Sequence, residues 1–243
     1  MKWFRIILFY SIALIGSYLF RIIKPDILFH LNLPYGLQVF TTILEGIGPF
    51  VGALIILIIF RPSRKVSFWG SSLKKSISML LLPIILLSIF GIENKEDLNK
   101  HCLGFIVGLT SIVYVIFEEF GWRAYLLQEL KIKQLNIGLR SIIIGALWYI
   151  WHLNFSITLD NYIEHLVFLA ILIFASWGFE KILDSTKSIV SVACFHFLGS
   201  LMTYNQLLNN GLSSQNRTII FIICLISWIA FVSKWKSTSS NNL

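Results

Sequence analysis

Eight long stretches of this chain are predominantly apolar, at approximately 3–23, 38–60, 76–92, 102–128, 139–157, 162–180, 187–205 and 217–235. A helix needs about 20 apolar residues to cross a bilayer, so each stretch is close to the length of one span. The fold class expected is all-α, a polytopic membrane helical bundle of about eight transmembrane helices. Composition agrees. Hydrophobic residues make up 56% of the chain and charged residues 13%, against about 45–50% and about 25% in soluble domains. The 20 Phe and 8 Trp suit side chains that face lipid or sit at its interface.

The net charge of +8 would fit a nucleic-acid partner only if the basic residues shared a face. They lie between apolar stretches instead, which makes them topology signals and excludes that partner class. With the N-terminus inside, the inside segments hold fourteen Lys and Arg, from Lys2 and Arg5 to Lys234 and Lys236. The outside segments hold five: Arg21, Lys24, Lys95, Lys100 and Arg217. This bias predicts a multi-pass cell-membrane protein with both termini cytoplasmic. Cys102, Cys194 and Cys224 have neither disulfide nor metal-ligand spacing and read as small apolar fillers.

The first stretch has no small-residue cleavage site and ends at Arg21 and Lys24, so it is a span rather than a signal peptide. Pro83 interrupts the third and predicts a kink or tilt. No repeat or soluble domain is evident, and residues 1–243 read as a single transmembrane domain ending in the polar tail STSSNNL. The fourth stretch is too long for a simple span and carries EEFGWR in its second half.

An ionisable side chain within a span costs at least about 2.5–3.5 kcal/mol on insertion scales. Glu118, Glu119 and Arg123 therefore ask for a reason. Arg123 follows Glu119 by one helical turn, on the same face, and can pair with it. Glu118 points about 100° away and has no such partner, leaving it free to face a cavity. The bland alternative is a neutralised packing cluster, which explains Glu119 and Arg123 better than Glu118.

The histidines divide similarly. His30, His101 and His165 lie in or beside loops and read as solvated surface. His152 and His196 are embedded in apolar runs. One buried histidine is usually a packing residue; two, on spans that follow a Glu-Glu-Arg span, suggest chemistry. Trp148, one turn before His152, can brace its ring, and Ser200 is one turn after His196. A carboxylate and an imidazole in a dry pocket can together hold a water and take its proton. The HExxH zinc helix, GxSxG and glycine-rich phosphate loops are all absent, and Asp160 and Asp184 form no intramembrane pair.

These residues resemble the CPBP family of intramembrane proteases, which includes the type II CAAX prenyl proteases and bacteriocin-processing enzymes and is also called the Abi family. Its EExxxR motif corresponds to Glu118, Glu119 and Arg123. Its FxxxH motif corresponds to Trp148 and His152, with Trp in place of Phe. Its last motif, a histidine followed four residues later by Asn or Asp, corresponds to His196 and Ser200. The motif-bearing core runs from about 102 to 205.

The resemblance implies an eight-helix endopeptidase in which Glu118 and His152 activate water. His196 and Ser200 would stabilise the oxyanion, and Glu119 and Arg123 would order the site. It also leaves open a zinc ion held by His152, His196 and Glu118; a purely Glu/His-activated water fits equally well, and the cofactor is not assigned. The partners implied are the lipid bilayer and a peptide or protein substrate within it.

The Ile-, Asn- and Lys-rich composition suggests an AT-rich bacterial genome, where prenylated substrates are not expected. Substrates would then be bacteriocin or pheromone precursors, membrane-anchored regulators or toxins. Ser200 is the feature that favours the rival reading, a non-catalytic immunity or scaffold protein of the same fold. A third reading, a small transporter with Glu118 and His152 as proton relay, lacks the expected repeat symmetry.

Overall fold

The computed structural model describes residues 2–31, 39–62, 65–153, 161–202 and 206–235. Within them the chain is helical, apart from short connections and one isolated parallel β-bridge between Ser67 and Ser188. In chain order the helices are α1 (Lys2–Leu31), a 3-10 helix (Val39–Gly46), α2 (Ile47–Phe60), α3 (Leu73–Phe90) and α4 (Lys100–Glu119). A π-helical stretch (Phe120–Leu126) follows, then α5 (Leu127–Ile132), α6 (Ile137–Leu153), α7 (Tyr162–Thr186), α8 (Ile189–Met202), α9 (Gln206–Gly211) and α10 (Ser214–Ser233).

Five apolar stretches are long enough to cross a membrane: Trp3–Ile23, Leu73–Phe90, Lys100–Ile132, Tyr162–Thr186 and Ser214–Ser233. Ile47–Phe60, Ile137–Leu153 and Ile189–Met202 are shorter apolar helices at the positions of the other three expected spans. The all-α membrane fold is as expected, with one clear departure. The stretch expected as a single span at 38–60 is split, because Gly46, Gly48 and Pro49 interrupt regular α-helical bonding and favour a tight 3-10 entry. Helix α3 runs uninterrupted through Pro83.

Helix ends follow local chemistry. Ser213 caps α10, its hydroxyl accepting from the Asn216 N–H at 3.1 Å. Gly91 ends α3 at φ 72°, a left-handed backbone that glycine adopts without steric cost.

The chain divides into two compact units. The first comprises Met1–Leu31, Leu44–Lys65 and Phe117–Lys181. The second comprises Asn32–Ile43, Val66–Ile116 and Ile182–Leu243. The core of the first is aromatic. Phe9 meets Trp122 edge-on at 5.8 Å and Tyr125 at 4.8 Å, and Trp122 meets Trp151 at 5.9 Å. Helices α1 and α2 cross closely there because Gly48 and Gly52, one turn apart, present no side chain to Ala13, Ser17 and Phe9. The core of the second is aliphatic, built from residues such as Met79, Leu87, Val107, Ile112, Val190 and Leu201. Gly104 and Gly108 of α4 admit the backbone of α3 at Leu87 and Ile84 in the same way.

Candidate active site

Glu118, Glu119 and Arg123 sit where α4 passes into the π-helical stretch, and all three are fully buried. The π register is explicit at its end, where the Leu127 N–H donates to the Trp122 carbonyl five residues back. Such stretches strain the helix and recur at functional sites. The helix of Pro49 lies against this segment so tightly that a Cβ on Gly121 would stand 2.5 Å from Pro49 Cβ.

The predicted ion pair forms. Arg123 Nε lies 3.0 Å from Glu119 Oε2, a buried ion pair. The guanidinium also lies 4.4 Å from the Trp148 ring centroid and 5.0 Å from that of Phe179. A buried cation needs this combination of a counter-charge and polarisable faces to offset its lost hydration.

Glu118 differs from its neighbour in kind. No basic side chain pairs with it among the described residues, and its hydrogen bond comes from a neutral donor. The Trp148 indole N–H donates to Oε2 at 2.9 Å. Oε1 has no hydrogen-bond partner among the described residues. The carboxylate is therefore anchored at one oxygen by a neutral donor, and the other oxygen is available for chemistry.

His152 stands one turn after Trp148 on α6, its Nδ1 2.8 Å from the Trp148 carbonyl oxygen. A carbonyl can only accept, so Nδ1 carries a proton. Trp148, Trp151 and Phe168 surround the ring at centroid distances of 5.6, 5.0 and 5.3 Å. The aromatic brace expected from spacing is thus present and larger than expected. Trp148 joins the two candidates: its side chain holds Glu118, and its main chain holds His152.

The first unit therefore brings together Glu118, Glu119, Arg123 and His152. His196 and Ser200 belong to the second unit, both half-buried and one turn apart on α8. His101 is exposed, as expected. His165 is not simply solvated surface, because its Nδ1 lies 2.6 Å from the Tyr149 hydroxyl. Asp160 and the side chain of His30 fall outside the described residues.

Sequence reasoning missed two buried carboxylates in the first unit. Glu129 pairs with Arg5 at 3.0 Å. Glu180 accepts from Arg140 Nε at 3.1 Å and pairs with Lys131 at 3.3 Å. Both carboxylates end apolar runs, which made them look like loop residues. The available signal was the set of basic residues assigned to the same side. Among the described residues no three His, Cys, Asp or Glu side chains gather closely enough to hold a metal ion.

Residues 101–202 match the family model described as Type II CAAX prenyl endopeptidase Rce1-like. The chain is also 26% identical over 136 residues to Lysostaphin resistance protein A of Staphylococcus haemolyticus. That alignment takes in 49% of this chain and 37% of the relative, so the chain spans little more than a third of that protein's length. The resemblance carried by the motifs is borne out over the core that contains them. The family is one of endopeptidases, and the long apolar helices make the chain a multi-pass membrane protein.

Proposed function

We propose, taking the Rce1-like core as the premise, that this chain is an intramembrane endopeptidase using a water activated by Glu118 and His152. The observation that carries the reading is a fully buried carboxylate with one oxygen held by a neutral donor and the other unpaired. A carboxylate kept only for packing would be neutralised, as Glu119 is by Arg123.

Glu118 Oε1 and the His152 imidazole would take the proton of a water bound beside them. The water oxygen attacks the scissile carbonyl carbon while its proton passes to one of these acceptors. The carbon–nitrogen bond then breaks, and the same proton goes to the departing amine. Burial excludes bulk water and strengthens each electrostatic contact. By resemblance, His196 and Ser200 supply the oxyanion contacts, although the family carries Asn or Asp where this chain has the shorter Ser200. The substrate class is a membrane-associated peptide, and the 243 residues act as one membrane domain with both termini cytoplasmic.

The test is cleavage of a peptide library by the purified chain in proteoliposomes, with new N-termini read by mass spectrometry. Glu118→Gln and His152→Ala should each lower turnover by about a hundredfold or more. Full turnover in either variant overturns the assignment. One rival is favoured by Ser200 and by the relative's printed name, a resistance protein. In that reading the chain protects a cell by binding in the membrane without hydrolysis, and Glu118→Gln would leave protection intact.

A further inference from the structure

We infer that Trp148 is a positioning residue that fixes the Glu118 carboxylate through its indole N–H, a task no phenylalanine at that place could perform. The inference rests on the reading of Glu118 as the base, and it concerns a residue for which the family motif supplies no donor.

Three observations converge. Trp148 is only 2% exposed and Glu118 is fully buried, so the bond between them at 2.9 Å is shielded from water. It is the hydrogen bond that holds the Glu118 side chain among the described residues, since Oε1 has none. The nearest cation, Arg123, is engaged by Glu119 and lies over the Trp148 ring face at 4.4 Å.

The chemistry of the donor matters. An arginine on Glu118 would hold it firmly but as an inert ion pair. A neutral N–H holds one oxygen in a fixed direction and leaves the carboxylate basic. A cation over the ring face draws electron density from the indole and strengthens its N–H as a donor, so polarisation passes from Arg123 to Glu118 through the ring. Arg123 thereby acts on Glu118 through the ring as well as by direct charge attraction.

Trp148 also separates two functions. His152 is held by the Trp148 carbonyl, which any residue would provide. Trp148→Phe therefore keeps the His152 contact and a ring face for Arg123, and removes the donor to Glu118. Replacement of residue 148 by benzothienylalanine, with sulfur in place of the N–H, does the same with the bicyclic shape intact. A ring-fluorinated tryptophan keeps the N–H and serves as the rescue.

In proteoliposomes, Trp148→Phe and the sulfur isostere should lower kcat by about tenfold to a hundredfold, with KM unchanged and a lower melting temperature, because the buried carboxylate loses its donor. The fluorinated tryptophan should restore kcat. Equal kcat in the sulfur isostere and the wild type overturns the inference, as does an equal loss in the fluorinated form. A second readout needs no turnover. The indole proton resonance assigned by its disappearance in Trp148→Phe should move upfield in Glu118→Gln, because an amide oxygen accepts more weakly than a carboxylate. An unmoved resonance overturns the inference. A chain that cleaves nothing sinks the protease reading, and this resonance then decides separately whether the indole holds the carboxylate.

Discussion

Glu118 and Glu119 are adjacent, equally buried and chemically identical, yet their surroundings predict opposite consequences for the same substitution. Glu119→Gln leaves the Arg123 guanidinium buried against aromatic rings with no counter-charge. Removing one partner of a buried pair typically costs about 3–5 kcal/mol, so thermal melting in detergent should fall sharply. Glu118→Gln removes no counter-ion, and the amide oxygen can still accept from Trp148. Its melting temperature should stay near that of the wild type while peptide cleavage is lost. A stable, active Glu119→Gln protein would mean that Arg123 draws its support from elsewhere. The Glu119–Arg123 pair was legible in the sequence because four residues along one helix fix their relation. The Glu118–Trp148 bond was not. It joins residues thirty apart on two different helices, a relation that residue spacing does not encode.

Several helix crossings in this chain are set by glycines. In the first unit, a Cβ on Gly48 would stand 2.3 Å from both the Ala13 carbonyl oxygen and the Ser17 hydroxyl. Gly48→Ala should therefore push α1 from α2 and cost about 1–3 kcal/mol, read as a lowered melting temperature in detergent. Gly178, on α7, is the matched control, since nothing lies within 4 Å of its missing Cβ. Gly178→Ala should leave stability unchanged or raise it by up to about 1 kcal/mol. Equal effects at the two positions would show that helix propensity, not close approach, governs the response. The positions of these helices were legible because lipid imposes length and apolarity together. Their interior breaks were harder to see. Apolarity continues through 38–60 although the backbone changes from 3-10 to α at Ile47, and through 102–128 although it becomes π-helical at Phe120. Hydropathy reports the solvent around a helix, not the hydrogen-bond register within it.

At the scale of the whole chain, alternation of charge along the sequence can be compared with contacts inside each unit. In the second unit, residues assigned inside gather at one end. Lys75 donates to the Lys234 carbonyl, the Trp235 indole bonds Ser71 at 2.7 Å, and Ser67 N–H bonds the Lys187 carbonyl at 3.0 Å. Residues assigned outside meet at the opposite end of α3, where Lys100 pairs with Glu93 at 2.9 Å and Glu93 N–H bonds the Gly211 carbonyl. The 18 residues of α3 separate these ends by about 27 Å at 1.5 Å per residue, close to the hydrocarbon thickness of a bilayer of about 30 Å. In the first unit, Arg5, Lys131 and Arg140, all assigned inside, likewise meet at Glu129 and Glu180. Two independent groupings therefore respect one alternation, and we propose from the excess of basic residues that their end faces the cytoplasm. The native cysteines test this without any engineered label. Cys102 is exposed beside the outer cluster, whereas Cys194 and Cys224 are buried. A membrane-impermeant maleimide added to intact cells should modify Cys102 and neither of the others. Modification of Cys102 only after the membrane is opened would invert the topology and place the Glu93–Lys100 end inside the cell.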